Sequence, residues 1–255
     1  MTLPLSGLRV IELGQLIAGP FASKMLGEFG ADVIKVEPPE TGDPLRTWRM
    51  LHDGTSVWWA AHARNKRSIT LNLREPEGQD VIRQLAKDAD IVIENFRPGA
   101  LEKWGIGFKD LHAINPKLIM LRVSGYGQTG PYKDRPGFGV IGEAMGGLRY
   151  LTGEPGRPPV RTGVSIGDTL SGLHGVIGVL MVPLFARIAR AGRDLADQRC
   201  ATADQAMQVV VDGVDFLPQR IQLGCIHGVA AILRPAGLRK GKKPQGACTI
   251  PAAYV

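Results

Sequence analysis

The chain has 255 residues, 44% apolar and 22% charged, with 33 glycines and a formal charge of +7. That length buries a large core, as one generous domain or two small ones, and the make-up is that of a soluble globular protein. No apolar run approaches a membrane span, and Met1–Gly7 lacks the basic and apolar regions of a secretory leader. Three widely separated cysteines, Cys200, Cys225 and Cys248, form neither a disulfide framework nor a zinc pattern, which points to a reducing, cytoplasmic setting. The charge is unevenly spread. Residues 1–183 hold 21 Lys and Arg against 19 Asp and Glu, whereas residues 184–255 hold 10 against 5 and no glutamate. No recognisable binding motif accompanies this basic tail, so neither nucleic acid nor membrane is an expected partner.

Leu8–Leu13 is a short, mostly apolar run of strand type. After a glycine-containing turn, Pro20 sits where a first helical residue tolerates it, and Phe21, Met25, Leu26 and Phe29 make one apolar face that Gly30 ends. Ala31–Val36 is the next strand, and strand, helix and strand within thirty residues predict a parallel βαβ unit. The pattern recurs. Gly78–Ala86 reads as a helix with Val81, Ile82 and Leu85 inward, Ile91–Ile93 as a strand, a helical piece closes at Leu111, and Leu118–Val123 is another strand. This alternation predicts an open, doubly wound, Rossmann-like α/β fold with a parallel sheet.

Ligands of such sheets bind at the carboxyl ends of the strands. The segments there are Gln15–Pro20, Glu37–Gly42, Glu94–Gly99 and Ser124–Pro131, each rich in glycine, proline and polar residues. They suit a ligand-facing rim and ordinary turns equally. The turn Gly14–Pro20 lacks dinucleotide-fingerprint spacing and no Walker spacing occurs, so nucleotide readings are set aside. The five histidines lack partners at metal or triad spacing, and G-x-S-x-G is absent. Neither a metal site nor triad hydrolysis is expected. Trp58 and Trp59 read as core or interface anchors. Arg64–Arg67 (R-N-K-R) reads as a solvated loop, able to hold phosphates beside a suitable ligand.

One stretch combines turn, charge and helix: V-S-I-G-D-T-L-S-G-L-H, residues 164–174. Gly167 lets the backbone turn, Asp168 comes next, and Thr169 opens an apolar helical run through Leu170, Leu173, Val176, Ile177 and Leu180. A carboxylate at a helix mouth is most often an N-cap. It can also be a nucleophile: ionised at neutral pH, it needs no general base.

Taken in order, P-L-S-G-L-R-V-I-E-L, A-G-P, L-G-E-F-G-A-D-V-I-K-V-E, N-K-R-S-I-T-L-N-L, E-N-F-R-P-G-A-L, G-Y-G-Q-T-G-P and G-V-S-I-G-D-T-L-S-G-L-H resemble the class III CoA-transferases. The resemblance runs from Leu5 to about Leu180. The stretch Tyr150–Asp168 is most similar to the succinyl-CoA–glutarate branch. The resemblance implies transfer of coenzyme A from an acyl-CoA, such as succinyl-CoA, to a free carboxylic acid, with no metal and no prosthetic group. It implies that Asp168 is the nucleophile, forming a mixed anhydride and then an aspartyl-CoA thioester. It implies CoA contacts at Ile17 and Ala18, at Leu71, Asn72, Leu73 and Arg74, at Asn95, Phe96 and Arg97, at Lys103, and at Ser124, Gly125, Tyr126 and Gly127. Some members carry glutamine where this chain has Ile17 and arginine where it has Pro38. The related acyl-CoA racemases carry histidine and aspartate where this chain has G-F-G-V-I-G, Gly137–Gly142, so transfer is preferred to racemisation.

After Met181 the chain departs from the family pattern. Pro183 is expected to interrupt the helix. A G-Q-x-V-D-V-type strand, the small second domain and the returning segment that interlocks family homodimers are not recognisable beyond that proline. The chain therefore reads as residues 1–183, the N-terminal portion of the large domain, and residues 184–255, a divergent basic tail of frameshift character. The alternative in a different class is a non-catalytic CoA-binding fragment.

Overall fold

The computed structural model describes residues 2–196 and 208–211, with side chains through residue 183. The elements are β1 (Arg9–Glu12), α1 (Ala18–Glu28), β2 (Asp32–Glu37), the hairpin β3 (Leu51–His52) and β4 (Thr55–Ser56), α2 (Val57–His62) and β5 (Lys66–Thr70), followed by α3 (Pro76–Ala86), β6 (Ile91–Glu94), α4 (Ala100–Lys103), α5 (Phe108–Ile114), β7 (Ile119–Val123), α6 (Gly139–Met145), α7 (Ile166–Ala196) and β8 (Gln208–Val211). Six strands form one parallel sheet in the order β5-β2-β1-β6-β7-β8. The open, doubly wound α/β sheet expected from the alternation of elements is present.

Alternation along each strand feeds two cores. Val10, Val33, Ile91, Ile93 and Leu121 pack with Ala18, Ala22 and Leu26 of α1 and with Val176, Val179 and Val182 of α7. Ile11, Val92 and Met120 point the other way, onto Ile82, Ala86, Leu101 and Leu111 of α3, α4 and α5. Side chains on both faces are covered, which is why these strands read as nearly continuous apolar runs. At the end of α1 the Gly30 N–H donates to the Gly27 carbonyl and the Ala31 N–H to the Leu26 carbonyl. Gly30 takes φ +105, the left-handed cap that glycine adopts without strain. The buried stripe of this helix is Ala18, Ala22 and Leu26, and Phe29, expected on it, is half-exposed.

Two expectations are corrected. Helix α7 runs from Ile166 to Ala196 straight through Pro183. A proline there removes one donor and leaves the surrounding turns bonded, and Val176, Val179 and Val182 hold the helix against the sheet. Its first 18 residues, Ile166–Pro183, are by length and composition long and apolar enough to cross a bilayer. Here they form a layer on α1 and β7. Beyond Met181 one further strand is described, β8, which pairs parallel to β7 with Met120 opposite Gln208. The apolar triplet Val209–Val211 was the available signal. The three cysteines and the remaining tail lie outside the described residues.

Candidate active site

The strand order reverses between β1 and β6, and their carboxyl ends flank the crevice where open α/β sheets bind ligands. Asn95, just past β6, bridges it. Its Oδ1 accepts from the Gln15 N–H at 2.8 Å and its Nδ2 donates to the Gln15 carbonyl at 2.8 Å. A Cβ on Gly14 would lie 2.9 Å from the same Oδ1, so the loop after β1 needs glycine there.

Buried charges brace this loop from below. Lys35 Nζ lies 2.7 Å from Glu12 Oε1 and 2.7 Å from Asp43 Oδ2, and donates to the Gly14 carbonyl at 3.0 Å. Lys66 Nζ reaches Glu12 Oε2 at 2.7 Å and the Pro20 carbonyl at 2.8 Å, and Ser23 Oγ donates to Glu12 at 2.6 Å. Asp43 Oδ1 accepts the N–H of Leu16, which is held at φ +64. Burial alone would raise the Glu12 carboxyl, but Lys66 and Lys35 bring it below the ordinary carboxylate value. Glu12 and Asp43 likewise outweigh burial and hold Lys35 above its usual value. Lys66 therefore belongs to a strand and a buried ion network, which overturns the solvated-loop reading of Arg64–Arg67 for its second half, while Arg64 and Asn65 are exposed ahead of the strand. The signal lay in the lone charges of V-I-E-L and V-I-K-V, which a fully buried parallel strand admits only when paired.

Two cavities open on this edge. One of about 720 Å³ is lined by Leu71, Asn72, Leu73 and Arg74, by Phe96, and by the Glu37–Gly42 loop. Its neighbour, about 340 Å³, has Arg97, Lys103 and Arg135 on its wall, and the two share Trp104. Glu37 anchors the first wall. It accepts from Arg46 at 2.7 and 2.9 Å, from the Asp43 N–H at 2.9 Å and from Ser68. Burial pushes its carboxyl up, but these donors bring it down to about 2. Beneath the second, Arg122 joins Glu94 and Glu102 at 2.6 Å each, and Glu94 accepts the Phe96 N–H at 2.8 Å.

Of the residues expected to contact coenzyme A, Leu71–Arg74, Phe96, Arg97 and Lys103 line these cavities, and Asn95, in neither lining, bonds Gln15 of the larger one. Ile17 and Ala18 are buried at the start of α1. Ser124, Gly125, Tyr126 and Gly127 form the next loop along the sheet and line neither cavity.

Asp168 is the third residue of α7, whose first residue is Ile166. The N-cap reading is therefore overturned: the carboxylate lies inside the first turn. Gly167 does not turn the chain either. A Cβ there would lie 2.8 Å from the Gly139 carbonyl, and a Cβ on Gly139 would collide with the Asp168 carboxylate. Paired glycines let α6 and α7 meet at the nucleophile candidate. One turn on, Gly172 packs on the Ala18 carbonyl, where a Cβ would come to 2.8 Å. The face that carries Asp168 thus meets the first turn of α1.

The Asp168 carboxyl is half-buried, and burial raises it above the ordinary range; nearby Arg161 opposes this and Glu143 adds to it. Glu143, 3% exposed, accepts from Arg161 at 3.0 and 3.1 Å. This pair was missed, although the single glutamate in the apolar G-V-I-G-E-A-M marks it. Among the described residues no cluster of three or more His, Cys, Asp or Glu is placed to hold a metal ion.

The family model for CoA-transferase family III matches residues 5–208, and the chain belongs to that family. It is similar to the succinyl-CoA–D-citramalate CoA-transferase of Chloroflexus aurantiacus, 58% identical over 179 residues that cover 70% of this chain and 44% of that one. It is similar to the succinate–glutarate CoA-transferase of Agrobacterium fabrum, 40% identical over 222 residues, 82% of this chain and 56% of that one. A solved CAIB/BAIF family protein from Brucella suis superposes with TM-score 0.70 at 43% identity, covering 75% of this chain and 51% of that one. The chain spans about half the length of the curated relatives it matches.

Proposed function

We propose that this chain carries the CoA-binding and nucleophilic half of a CoA-transferase that moves coenzyme A from succinyl-CoA to another dicarboxylic acid. The observation that carries this reading is the Asp168 carboxylate, set in the first turn of α7 against Gly139, with Gly172 one turn on packed against the start of α1. The names of the relatives supply the substrate class.

Asp168 attacks the thioester carbonyl, the C–S bond breaks, and CoA thiolate leaves a mixed anhydride. The thiolate attacks the aspartyl carbonyl and releases the donor acid as its carboxylate, leaving an aspartyl-CoA thioester. The acceptor carboxylate attacks that thioester and frees the thiolate again. The thiolate then takes the acceptor's acyl carbon and regenerates Asp168. No net proton, metal or electron enters the cycle. In the first turn of α7 the Ile166 and Thr169 N–H groups are bonded to the Val164 and Ser165 carbonyls, and the Gly167 N–H is the one suited to stabilise a developing oxyanion.

Exchange of labelled succinate into succinyl-CoA tests this, with mass spectrometry for a hydroxylamine-trapped adduct on Asp168. Asp168→Asn should lower exchange at least about a thousandfold with CoA affinity retained. Full exchange by that variant would overturn the reading. Binding of CoA by the parent chain with no exchange would establish the second reading, a non-catalytic CoA-binding fragment.

A further inference from the structure

The Glu143–Arg161 pair lies beside the nucleophile candidate and outside both cavities that hold the expected CoA contacts. On α6, Gly139 touches the Asp168 carboxylate and Glu143 sits one turn further along the same face. Positions so spaced lie about 5–6 Å apart on the helix surface, which sets Glu143 near the Asp168 carboxylate. Glu143 is buried, and it orients Arg161 through the guanidinium edge formed by Nε and Nη2. The other terminal nitrogen, Nη1, has no hydrogen-bond partner among the described residues, and the Arg161 side chain keeps 31% exposure. A guanidinium fixed by one carboxylate with donors free on its open side is built to take a second carboxylate.

We propose that Arg161, positioned by Glu143, binds the distal carboxylate of a dicarboxylic acyl group while its other carboxyl carbon lies at Asp168. The inference rests on Asp168 being the reacting group. The separation by one helix turn suits a short, four- or five-carbon diacid. A monocarboxylate of the same length fills the same space and leaves the guanidinium unpaired, and an unmade charged hydrogen bond of this kind is what discriminates between such ligands.

Calorimetric titration of the full 255-residue chain with succinate and with butyrate, at saturating CoA, tests the assignment. The parent should bind succinate at least about tenfold more tightly than butyrate. The double variant Glu143→Met/Arg161→Met removes the pair without leaving a buried charge alone, so folding is preserved. It should lose the preference for succinate while CoA affinity changes less than about twofold. Arg161→Lys keeps the charge but not the fork, and should retain only part of the preference. A parent that binds the two acids equally, or a double variant that keeps the preference, would overturn the proposal. Loss of preference in the variants with no exchange in the parent would sink the transferase reading alone. Exchange that depends on Asp168 but shows no Arg161-dependent preference would sink this one alone.

Discussion

At the scale of single residues, the site edge is held by charges placed where apolar strands end. Glu12 and Glu37 close β1 and β2, Lys35 lies inside β2 opposite Glu12, and each is buried and paired. Their environments set a pH dependence of stability. Glu37 is held at about 2 in the folded chain against 4.5 as its ordinary value. A depressed acid contributes stability that is present above 4.5 and lost as pH falls through about 2, because the unfolded chain takes up the proton first. His62, beside Trp58 and Phe21, is pushed down to about 4 from 6.5 by burial, with Lys66 and Lys24 adding. It stays neutral in the folded chain, so stability also declines as pH falls from 6.5 toward 4. Urea midpoints measured across the acid range should fall through both windows. His62→Leu should flatten the upper window and Glu37→Gln the lower, and unchanged slopes would refute the assignments.

At the scale of elements, the decisive contact is glycine against helix. Gly139 and Gly167 let α6 and α7 approach until the Asp168 carboxylate rests on α6. Gly139→Ala should push that carboxylate aside and cut exchange by about 100-fold or more, with circular dichroism unchanged. Gly142, on the same helix with open space around its Cβ position, is the control. Gly142→Ala should leave exchange intact and stabilise by up to about 1 kcal/mol. Equal effects of the two substitutions would mean that the close approach does not position Asp168. The motif around Asp168 was legible in the sequence, whereas its partner α6 was not. G-F-G-V-I-G carries three glycines and too few polar residues for a helical period to stand out, and only packing on α7 makes it a helix.

At the scale of the whole molecule, α7 has two unlike faces. Val176, Val179 and Val182 are buried against the sheet, whereas Leu170, Ile177, Leu180 and Met181 are 40–48% exposed. Helical spacing alone marks both stripes as apolar and cannot tell which is covered. Contiguous exposed apolar surface favours association. Sedimentation velocity should therefore find concentration-dependent self-association, and Ile177→Lys/Met181→Lys should shift the chain toward monomer while costing less than about 0.5 kcal/mol. A parent that is monomeric at every concentration would refute this.

Local pattern was sufficient for the parallel α/β sheet and for the Gly30 helix stop. Alternation of strand and helix, and the handedness of chain connections, leave few other solutions. What only the tertiary structure decided were long-range pairings. Lys66 joins Glu12 across 54 positions, Asn95 joins Gln15 across 80, and Arg161 joins Glu143 beside a carboxylate from a third segment. Periodicity reports which face of an element is apolar. It does not report which distant charge will be brought to meet it, because that depends on the order in which the strands pack.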